Sequence, residues 1–455
     1  MDQILPKFKS NIQTHIFDNG LRLIYEKPHT SLPITSIHAY CNIGSANEID
    51  GIRGAAHFIE HMCFKGTKKI PQPRNIYLAY DEAGAVLNAM TEKRYTVYLV
   101  KTAADFTHNC IDMLSDMMLN SVFHRENFVK EEKVVIEEVL RTADDAEDIV
   151  GNLSGSVIYS GSSYAFPVDT VEYHQRPFSY SKIVDIYRLF YRPENIILSI
   201  VSSLPFSQII HMVNTSYFAR KMAANMNNNP YNIIVPAQPN NTNGGIIYRM
   251  KSKPNTQTIH LNISFRTCSI YSDDWHTLSV LRHILSGTFG SILSTLLRDK
   301  NGLTYTSNAN STYYEHTGDF TIYVQVDHHK ILKNGKKQGV LPIIIQLLNQ
   351  LVNHGISANE LKIAKQNIRG KMTIGLENSM TQSRHNGLEW LLYSDVNKIV
   401  PVDKLYDVNV KPITVKNIHD VIRKYFHKTS MFVCMVGDHL PSQALVEHEC
   451  EQFLH

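Results

Sequence analysis

The sequence lacks the cysteine patterns that stabilise small secreted folds or build zinc ribbons. Its six cysteines are widely separated and include no C-x-x-C pair, a pattern typical of reduced intracellular thiols. No run of about 18 apolar residues occurs, so we expect no membrane span. The net charge is only +3, and Lys and Arg are dispersed, which argues against a nucleic-acid surface. We therefore predict no nucleic-acid partner.

The first nine residues also lack the features of a targeting segment. They contain no apolar core and no Arg, and Asp2 adds an acidic side chain. Secretory signals need an apolar core, and mitochondrial presequences are rich in Arg and poor in acids. We therefore expect an intracellular location, cytoplasmic by default, with no signal and no mitochondrial presequence.

An H-x-x-E-H motif at His57, Glu60 and His61 is the strongest chemical signal in the chain. At about 100° per residue these three side chains share one helical face, whereas apolar residues occupy the other. Two imidazoles one turn apart can bind one zinc ion, and the carboxylate between them is placed to take a proton from water. Cys63 lies toward the apolar side, so we interpret it as core packing rather than as a ligand. The alternative is a surface helix in a chain with 22 His, where the spacing is accidental.

A catalytic zinc site needs a third protein ligand on another rigid element. The pattern from Arg125 to Val150 is helical, and we expect the acidic run at 144–148 to end the ligand helix. Within this helix the adjacent carboxylates Glu137 and Glu138 compete for the role of third ligand. Glu138 flanks the apolar stripe of the helix, whereas Glu137 points nearly opposite and can pair with Arg141 in solvent. We therefore choose Glu138 as the third ligand.

Residues 56–67 read AHFIEHMCFKGT and closely resemble the signature of the pitrilysin, insulinase and mitochondrial processing peptidase family. In that family the third zinc ligand is a Glu 77 positions beyond the second His, and 77 positions beyond His61 is Glu138. Residues 87–98 are similar to the family's substrate-binding edge strand, and residues 297–305 are similar to its Arg and Tyr pair. The chain most resembles the β-type processing peptidase subunit and single-chain bacterial relatives.

The resemblance implies roles for further residues. Asn88 and Ala89 would pair with the backbone of an extended peptide at a strand edge. Arg298 and Tyr305, from the second domain, would position substrate or stabilise the developing oxyanion. Asp148 stands where the family has a second carboxylate, and it either orients the site or belongs to a solvated acidic surface.

The organisation of the chain points to two related domains. A polar, turn-rich segment at 222–245 is interpreted as the linker between an N-terminal zinc-binding catalytic domain, 13–221, and a C-terminal homologous domain, 246–455, that binds no metal and completes the substrate site. We predict an α+β fold in which each domain is a mostly antiparallel sheet packed with helices.

These residues and the resemblance predict a zinc-dependent metalloendopeptidase with one Zn²⁺ per chain, which cleaves extended or unfolded peptides inside a closed chamber. The family closes its chamber with four such domains, which implies a homodimer or a heterodimer with a related silent subunit. One alternative is a noncatalytic structural or assembly subunit, and another is a zinc-dependent peptide-binding protein without turnover. The complete set of ligands and base argues against a silent subunit, which has no chemical need for them.

Overall fold

The computed structural model describes residues 12–48, 51–169, 179–221, 236–240, 245–332, 335, 338–393, 395 and 398–455. The described residues fall into two compact units. Unit 1 draws them from Met1–Val139, Val168–Val235 and Lys371–Leu405, and unit 2 from Leu140–Pro167, Pro236–Gly370 and Tyr406–His455. Of the predicted linker, all but 236–240 and 245 lies outside the described residues.

Unit 1 contains a six-stranded sheet. Its strands are β1 (Gln13–Ile16), β2 (Arg22–Glu26), β3 (Ile34–Cys41), β4 (Val86–Thr91), β5 (Thr96–Ala103) and β6 (Ile196–Ser202). They lie in the order β1-β2-β6-β3-β5-β4, and every pair is antiparallel except β2 with β6. Strand β4 is therefore an edge strand of this sheet.

Unit 2 contains a five-stranded sheet with the same plan. Its strands are β7 (Ile247–Ser252), β8 (Thr258–Thr267), β9 (Thr306–Tyr313), β10 (Gly318–Asp327) and β11 (Met431–Gly437). The order is β7-β11-β8-β10-β9. The pair β7 with β11 is parallel and the other three pairs are antiparallel, as in the part of the first sheet from β2 to β4. The predicted α+β fold with two related, mostly antiparallel sheets is confirmed.

The helices flank these sheets. In unit 1 they are α1 (Ala55–Met62), α2 (Pro73–Glu82), α3 (Thr107–Leu119), most of α4 (Arg125–Asp144), α6 (Tyr180–Phe190), α7 (Phe206–Thr215) and α11 (Ser379–Tyr393). In unit 2 they are α5 (Ala146–Ile158), α8 (Asp274–Ser286), α9 (Val340–His354), most of α10 (Ala358–Gly375), α12 (Val415–Tyr425) and α13 (Gln443–Cys450).

The helical stretch predicted from Arg125 to Val150 forms two helices, because the structure divides it at Asp145, within the acidic run expected to end the ligand helix. This residue has an extended backbone, and its side chain accepts hydrogen bonds from the amides of Glu147 (2.7 Å) and Asp148 (3.3 Å). It is therefore the N-cap of α5, which the absence of Gly and Pro did not reveal. The boundary between the two units lies shortly before this break, between Val139 and Leu140 in the last part of α4, so α5 belongs to unit 2.

Each sheet is covered by a helix from the other half of the sequence. In unit 1, α11 packs on β3 and β6, with hydroxyl and imidazole contacts between Ser36 and Ser379 (2.7 Å) and between His38 and Ser383 (2.7 Å). In unit 2, α5 packs on β8 and β11. The domain boundaries 13–221, 222–245 and 246–455 stay a prediction. In the structure α5, from the first half of the sequence, belongs to unit 2, and α11, from the second half, belongs to unit 1.

The main core of unit 1 lies between its sheet and helices α1, α2, α3, α4, α6 and α7. Within the described residues, no single helix is long and apolar enough to cross a membrane. Helices α9 and α10 pass that test as a pair, by length and composition only, with a bend of 102° between them.

Candidate metal centre

Helix α1 holds the H-x-x-E-H motif in an anchored position. Gly54, at its N-terminal cap, has a φ of +87°, a left-handed conformation that favours glycine. The carboxylate of Glu48 accepts hydrogen bonds from the amides of Gly54 (2.6 Å) and Ala56 (2.7 Å), which satisfies the free donors of the helix end. Burial raises the pKa of Glu48 to about 8, although both amides favour its charged form. Phe58 and Ile59 are fully buried beneath the helix, so α1 is fixed at its end and along its inner face.

Three ligand atoms converge on the outer face of α1. The Nε2 atoms of His57 and His61 lie 3.2 Å apart, and Oε2 of Glu138 lies 3.4 Å from the His61 nitrogen and 3.9 Å from the His57 nitrogen. A tetrahedral zinc ion with ligands at about 2.0–2.2 Å spaces them about 3.3–3.6 Å apart. Two imidazoles and one carboxylate at these separations therefore fit a zinc ion with little rearrangement.

The position of Glu138 follows from the face of α4 on which it lies. Phe128, Val135 and Val139 are buried and anchor this helix. The side chain of Glu138 is 34% exposed and faces the two imidazoles, whereas Glu137 is exposed. The geometry thus brings together the three residues that the sequence predicted as ligands, and it favours Glu138 over its neighbour.

A second carboxylate orients His57. Its Nδ1 atom lies 3.0 Å from Oδ1 of Asp169, so Nε2 is left to face the other two ligand atoms. Burial lowers the pKa of His57, but the hydrogen bond and charge of Asp169, with the charges of Glu60 and Glu138, raise it above its ordinary value. A metal ion bound here would therefore compete with a proton for this imidazole. Sequence reasoning missed Asp169, because no periodic pattern connects it with the motif.

His61 has an equivalent partner. Its Nδ1 atom lies 2.8 Å from Oε1 of Glu131, whose other oxygen lies 2.7 Å from Nζ of Lys65. Burial raises the pKa of Glu131, but the hydrogen bonds from His61 and Lys65 lower it below its ordinary value. Sequence reasoning missed this residue too, although a signal existed: Glu131 precedes Glu138 by seven residues, two turns along the same face.

The candidate base, Glu60, is held by the neighbouring sheet. It is only 8% exposed, and its Oε2 atom accepts a hydrogen bond of 2.7 Å from the hydroxyl of Thr91 at the end of β4. Burial raises the pKa of Glu60, although the hydrogen bond from Thr91 and the charges of His57 and His61 lower it in part. A base with a raised pKa beside the ligand atoms is suited to accepting a proton from water.

The free edge of β4 lies beside this centre. Asn88 and Ala89 belong to β4, and in this structure Oδ1 of Asn88 accepts a hydrogen bond of 2.9 Å from the amide of Ala89. Both residues line a cavity of about 570 Å³ that is also lined by Glu60, His61 and Glu138. The lining also includes the aromatic and aliphatic residues Phe64, Tyr77, Leu87 and Val134 and the charged residues Lys65, Asp81 and Glu131.

The remaining predicted residues belong to unit 2 and to no described metal cluster. Nε of Arg298 donates to Oδ1 of Asp299 at 2.8 Å, and Tyr305, just before β9, is 98% exposed. Asp148 is exposed in the first turn of α5.

Comparison with protein families matches two models in order along the chain. Residues 26–166 match the insulinase (peptidase family M16) model, which spans the motif and Glu138. Residues 177–368 match the peptidase M16 inactive domain model. The chain belongs to the insulinase family, M16. The family models thus place the motif in the insulinase half and not in the half named inactive.

Relatives within the M16 family are described as uncharacterised zinc proteases. One from Bacillus subtilis is 25% identical over 417 residues, which cover 91% of this chain and 96% of the relative. Another, from Mycobacterium leprae, is 25% identical over 374 residues, or 82% of this chain and 81% of the relative. Zinc binding and a peptidase hydrolase class are therefore properties of the family to which this chain belongs.

Solved structures share the M16 fold. A protease from Helicobacter pylori has a TM-score of 0.84 at 19% identity, covering 94% of this chain and 99% of its own. A peptidase M16 inactive domain from Pseudomonas fluorescens has a TM-score of 0.78 at 17% identity, covering 94% and 98%. At these identities the likeness concerns the fold alone.

Removing the carboxylate of Asp169 should weaken metal binding in this M16 site. In Asp169→Ala we expect about 10- to 100-fold lower zinc affinity, the usual effect of losing the carboxylate that orients a ligating imidazole. Competition with a chromophoric chelator measures this affinity. Glu126→Ala, which removes an exposed carboxylate paired with Lys130 (2.6 Å), should bind zinc like the parent. Equal affinity in both variants would contradict an orienting role for Asp169.

Proposed function

We propose that this M16 chain is a zinc-dependent metalloendopeptidase, similar to the processing peptidases, that cleaves extended or unfolded peptides. The observation that carries the proposal is the convergence of His57, His61 and Glu138 around one point beside the buried carboxylate of Glu60. Ligands and base together are needed only for hydrolysis.

Each of these residues has a separate role in the proposed reaction. His57, His61 and Glu138 hold one Zn²⁺ per chain, and Asp169 and Glu131 keep the imidazoles turned toward it. When bound, zinc supplies the Lewis acidity that polarises the scissile carbonyl and makes water a nucleophile at neutral pH.

Glu60 accepts the proton of the attacking water and is placed to return it to the leaving amine. The hydrogen bond from Thr91 holds its side chain in one rotamer, so the base is oriented before substrate arrives.

The edge of β4 and the adjacent cavity support a preference for extended substrates. A peptide that adds to a free strand edge is bound through its backbone, with little dependence on sequence. Asn88 and Ala89 provide that edge, and the internal hydrogen bond between them must open for the Ala89 amide to donate to a peptide. The aromatic and aliphatic part of the cavity lining, Phe64, Tyr77, Leu87 and Val134, favours an apolar side chain next to the cleaved bond.

We also propose that Arg298 and Tyr305 act on substrate or on the oxyanion, as their resemblance to the family's Arg and Tyr pair implies. The high exposure of Tyr305 suits a side chain that binds an external group. A chamber closed by four domains would require a second chain, either a copy of this one or a related silent subunit.

A noncatalytic structural subunit and a zinc-dependent peptide-binding protein are the alternatives. Purified protein decides among them when zinc content, peptide binding and hydrolysis of an unstructured fluorogenic peptide are measured together. We expect hydrolysis that is lost after zinc is removed with a chelator and is restored by added Zn²⁺.

The alternatives give different results in the same experiment. A peptide-binding protein would bind the peptide in the zinc form without cleaving it. A structural subunit would neither bind nor cleave it. Hydrolysis that persists after complete removal of zinc would contradict the proposed mechanism.

A further inference from the structure

A second group of metal-binding side chains lies at one end of the sheet in unit 2. The antiparallel register pairs Asp327, the last residue of β10, with Thr258 at the start of β8. It also pairs Val436, near the end of β11, with His260 in β8. The segments that follow β10 and β11 therefore leave the sheet at the same end. They carry Asp327, His328, His329 and His439, which we call the His328 cluster.

Three side chains of the His328 cluster are close enough to share an ion, and the fourth, His439, lies next to one of them. Asp327, His328 and His329 each offer a ligand atom, and these atoms lie within 4.8 Å of one another. The rings of His328 and His329 are 3.8 Å apart, and the ring of His439 is 4.9 Å from that of His328, measured between centroids. Three imidazoles and one carboxylate thus come together from two separate segments.

The backbone around the His328 cluster is held by its own hydrogen bonds. Oδ1 of Asp327 accepts from the amide of His329 at 2.8 Å, which fixes the turn that follows β10. Oδ2 of Asp438 accepts from the amide of Asn255 at 3.0 Å, which fixes the loop that carries His439. The nearby Lys330 directs its ammonium group to the carbonyl of Gly302 at 3.1 Å. The cluster is therefore partly preorganised and contains no cation of its own.

The imidazoles of this cluster are available, unlike those of another closely spaced His pair in unit 2. His427 and His455 lie 4.1 Å apart, but each Nε2 atom donates to a backbone carbonyl, of Lys424 and Arg423 respectively. Across the part of the chain that the structure describes, no ring nitrogen in the His328 cluster has a hydrogen bond of this kind. The short distance between rings is common to both groups, whereas ring nitrogens without a backbone acceptor, next to a carboxylate, occur only in the His328 cluster of these two.

We propose that the His328 cluster is a second metal site, which binds a first-row divalent ion such as Zn²⁺. Imidazole suits zinc, nickel and copper, and three imidazoles with one carboxylate complete a four-ligand set. Tetrahedral binding needs ligand atoms about 3.3–3.6 Å apart, which side-chain rotation in these exposed turns can supply. The ion would join the turn after β10 to the loop after β11. This inference does not depend on peptidase activity.

The test is a zinc count on the full-length protein. The parent protein is stripped with a chelator and titrated with Zn²⁺ under calorimetry. We expect two zinc ions per chain, the one held by His57, His61 and Glu138 and a second, not expected from the sequence, in the His328 cluster. His328→Ala/His329→Ala should lose one of them. The matched control, His427→Ala/His455→Ala, should bind zinc like the parent. His57→Ala/His61→Ala should retain one ion, so loss of the first site is distinguishable from loss of the second.

A second variant guards against a folding defect. His439→Gln, on the other segment, should lose the same ion as His328→Ala/His329→Ala, while thermal unfolding in chelator stays equal to that of the parent. Titration with Co²⁺ should give the visible absorption of a four-coordinate site, reduced in both variants. An unchanged zinc count in His328→Ala/His329→Ala, or an equal loss in the His427 control, would overturn the proposal.

Discussion

In Glu60→Gln, peptide hydrolysis should fall by about 10²- to 10⁴-fold in kcat, the range that a positioned general base contributes. The amide keeps the shape of the side chain but cannot accept a proton from water. Zinc content should equal that of the parent, because His57, His61 and Glu138 are untouched. Single-turnover cleavage of a fluorogenic peptide and metal analysis of the same preparation measure both quantities.

A matched control separates this effect from a general loss of charge. Glu137→Gln removes a carboxylate of the same size from an exposed position on α4, so its kcat should equal that of the parent. Near-parental turnover in Glu60→Gln with zinc bound would remove Glu60 from the mechanism. Loss of both zinc and activity would instead indicate that Glu60 supports the metal centre.

The second large effect concerns the third ligand. Glu138→Gln should lose most of its bound zinc and its activity, because a neutral amide is a much weaker ligand than a carboxylate that faces two imidazole nitrogens at 3.4 and 3.9 Å. His61→Ala should empty the site as well, since it removes a ligand outright. Zinc content after dialysis against a dilute chelator measures both losses.

The adjacent residue again gives the sharpest comparison. Glu137→Gln makes the same chemical change one position away on α4, and we expect it to retain zinc. If Glu137→Gln lost the metal and Glu138→Gln kept it, the helical-face assignment would be wrong. Full zinc in both variants would leave the centre with a different third ligand.

The sequence by itself determined the parts of this protein that local periodicity controls. The spacing of His57, Glu60 and His61 predicts that they share a face of α1, because successive side chains on a helix are about 100° apart. The same rule separates Glu138 from Glu137, since adjacent residues on a helix point in different directions. The α+β fold with two mostly antiparallel sheets was also predictable, because β-prone runs alternate with helical patterns along the chain.

Only the tertiary structure decided what surrounds these residues. Asp169 contacts His57, and Thr91 contacts Glu60, although the members of each pair are more than thirty positions apart in the sequence. No local sequence pattern predicts such pairs. The coverage of the first sheet by α11, and of the second by α5, likewise depends on which apolar and polar faces fit together after the chain has folded. Periodicity in the sequence predicts which face of a helix or strand is buried. Which other element packs on that face is decided by packing between segments that are distant in the sequence.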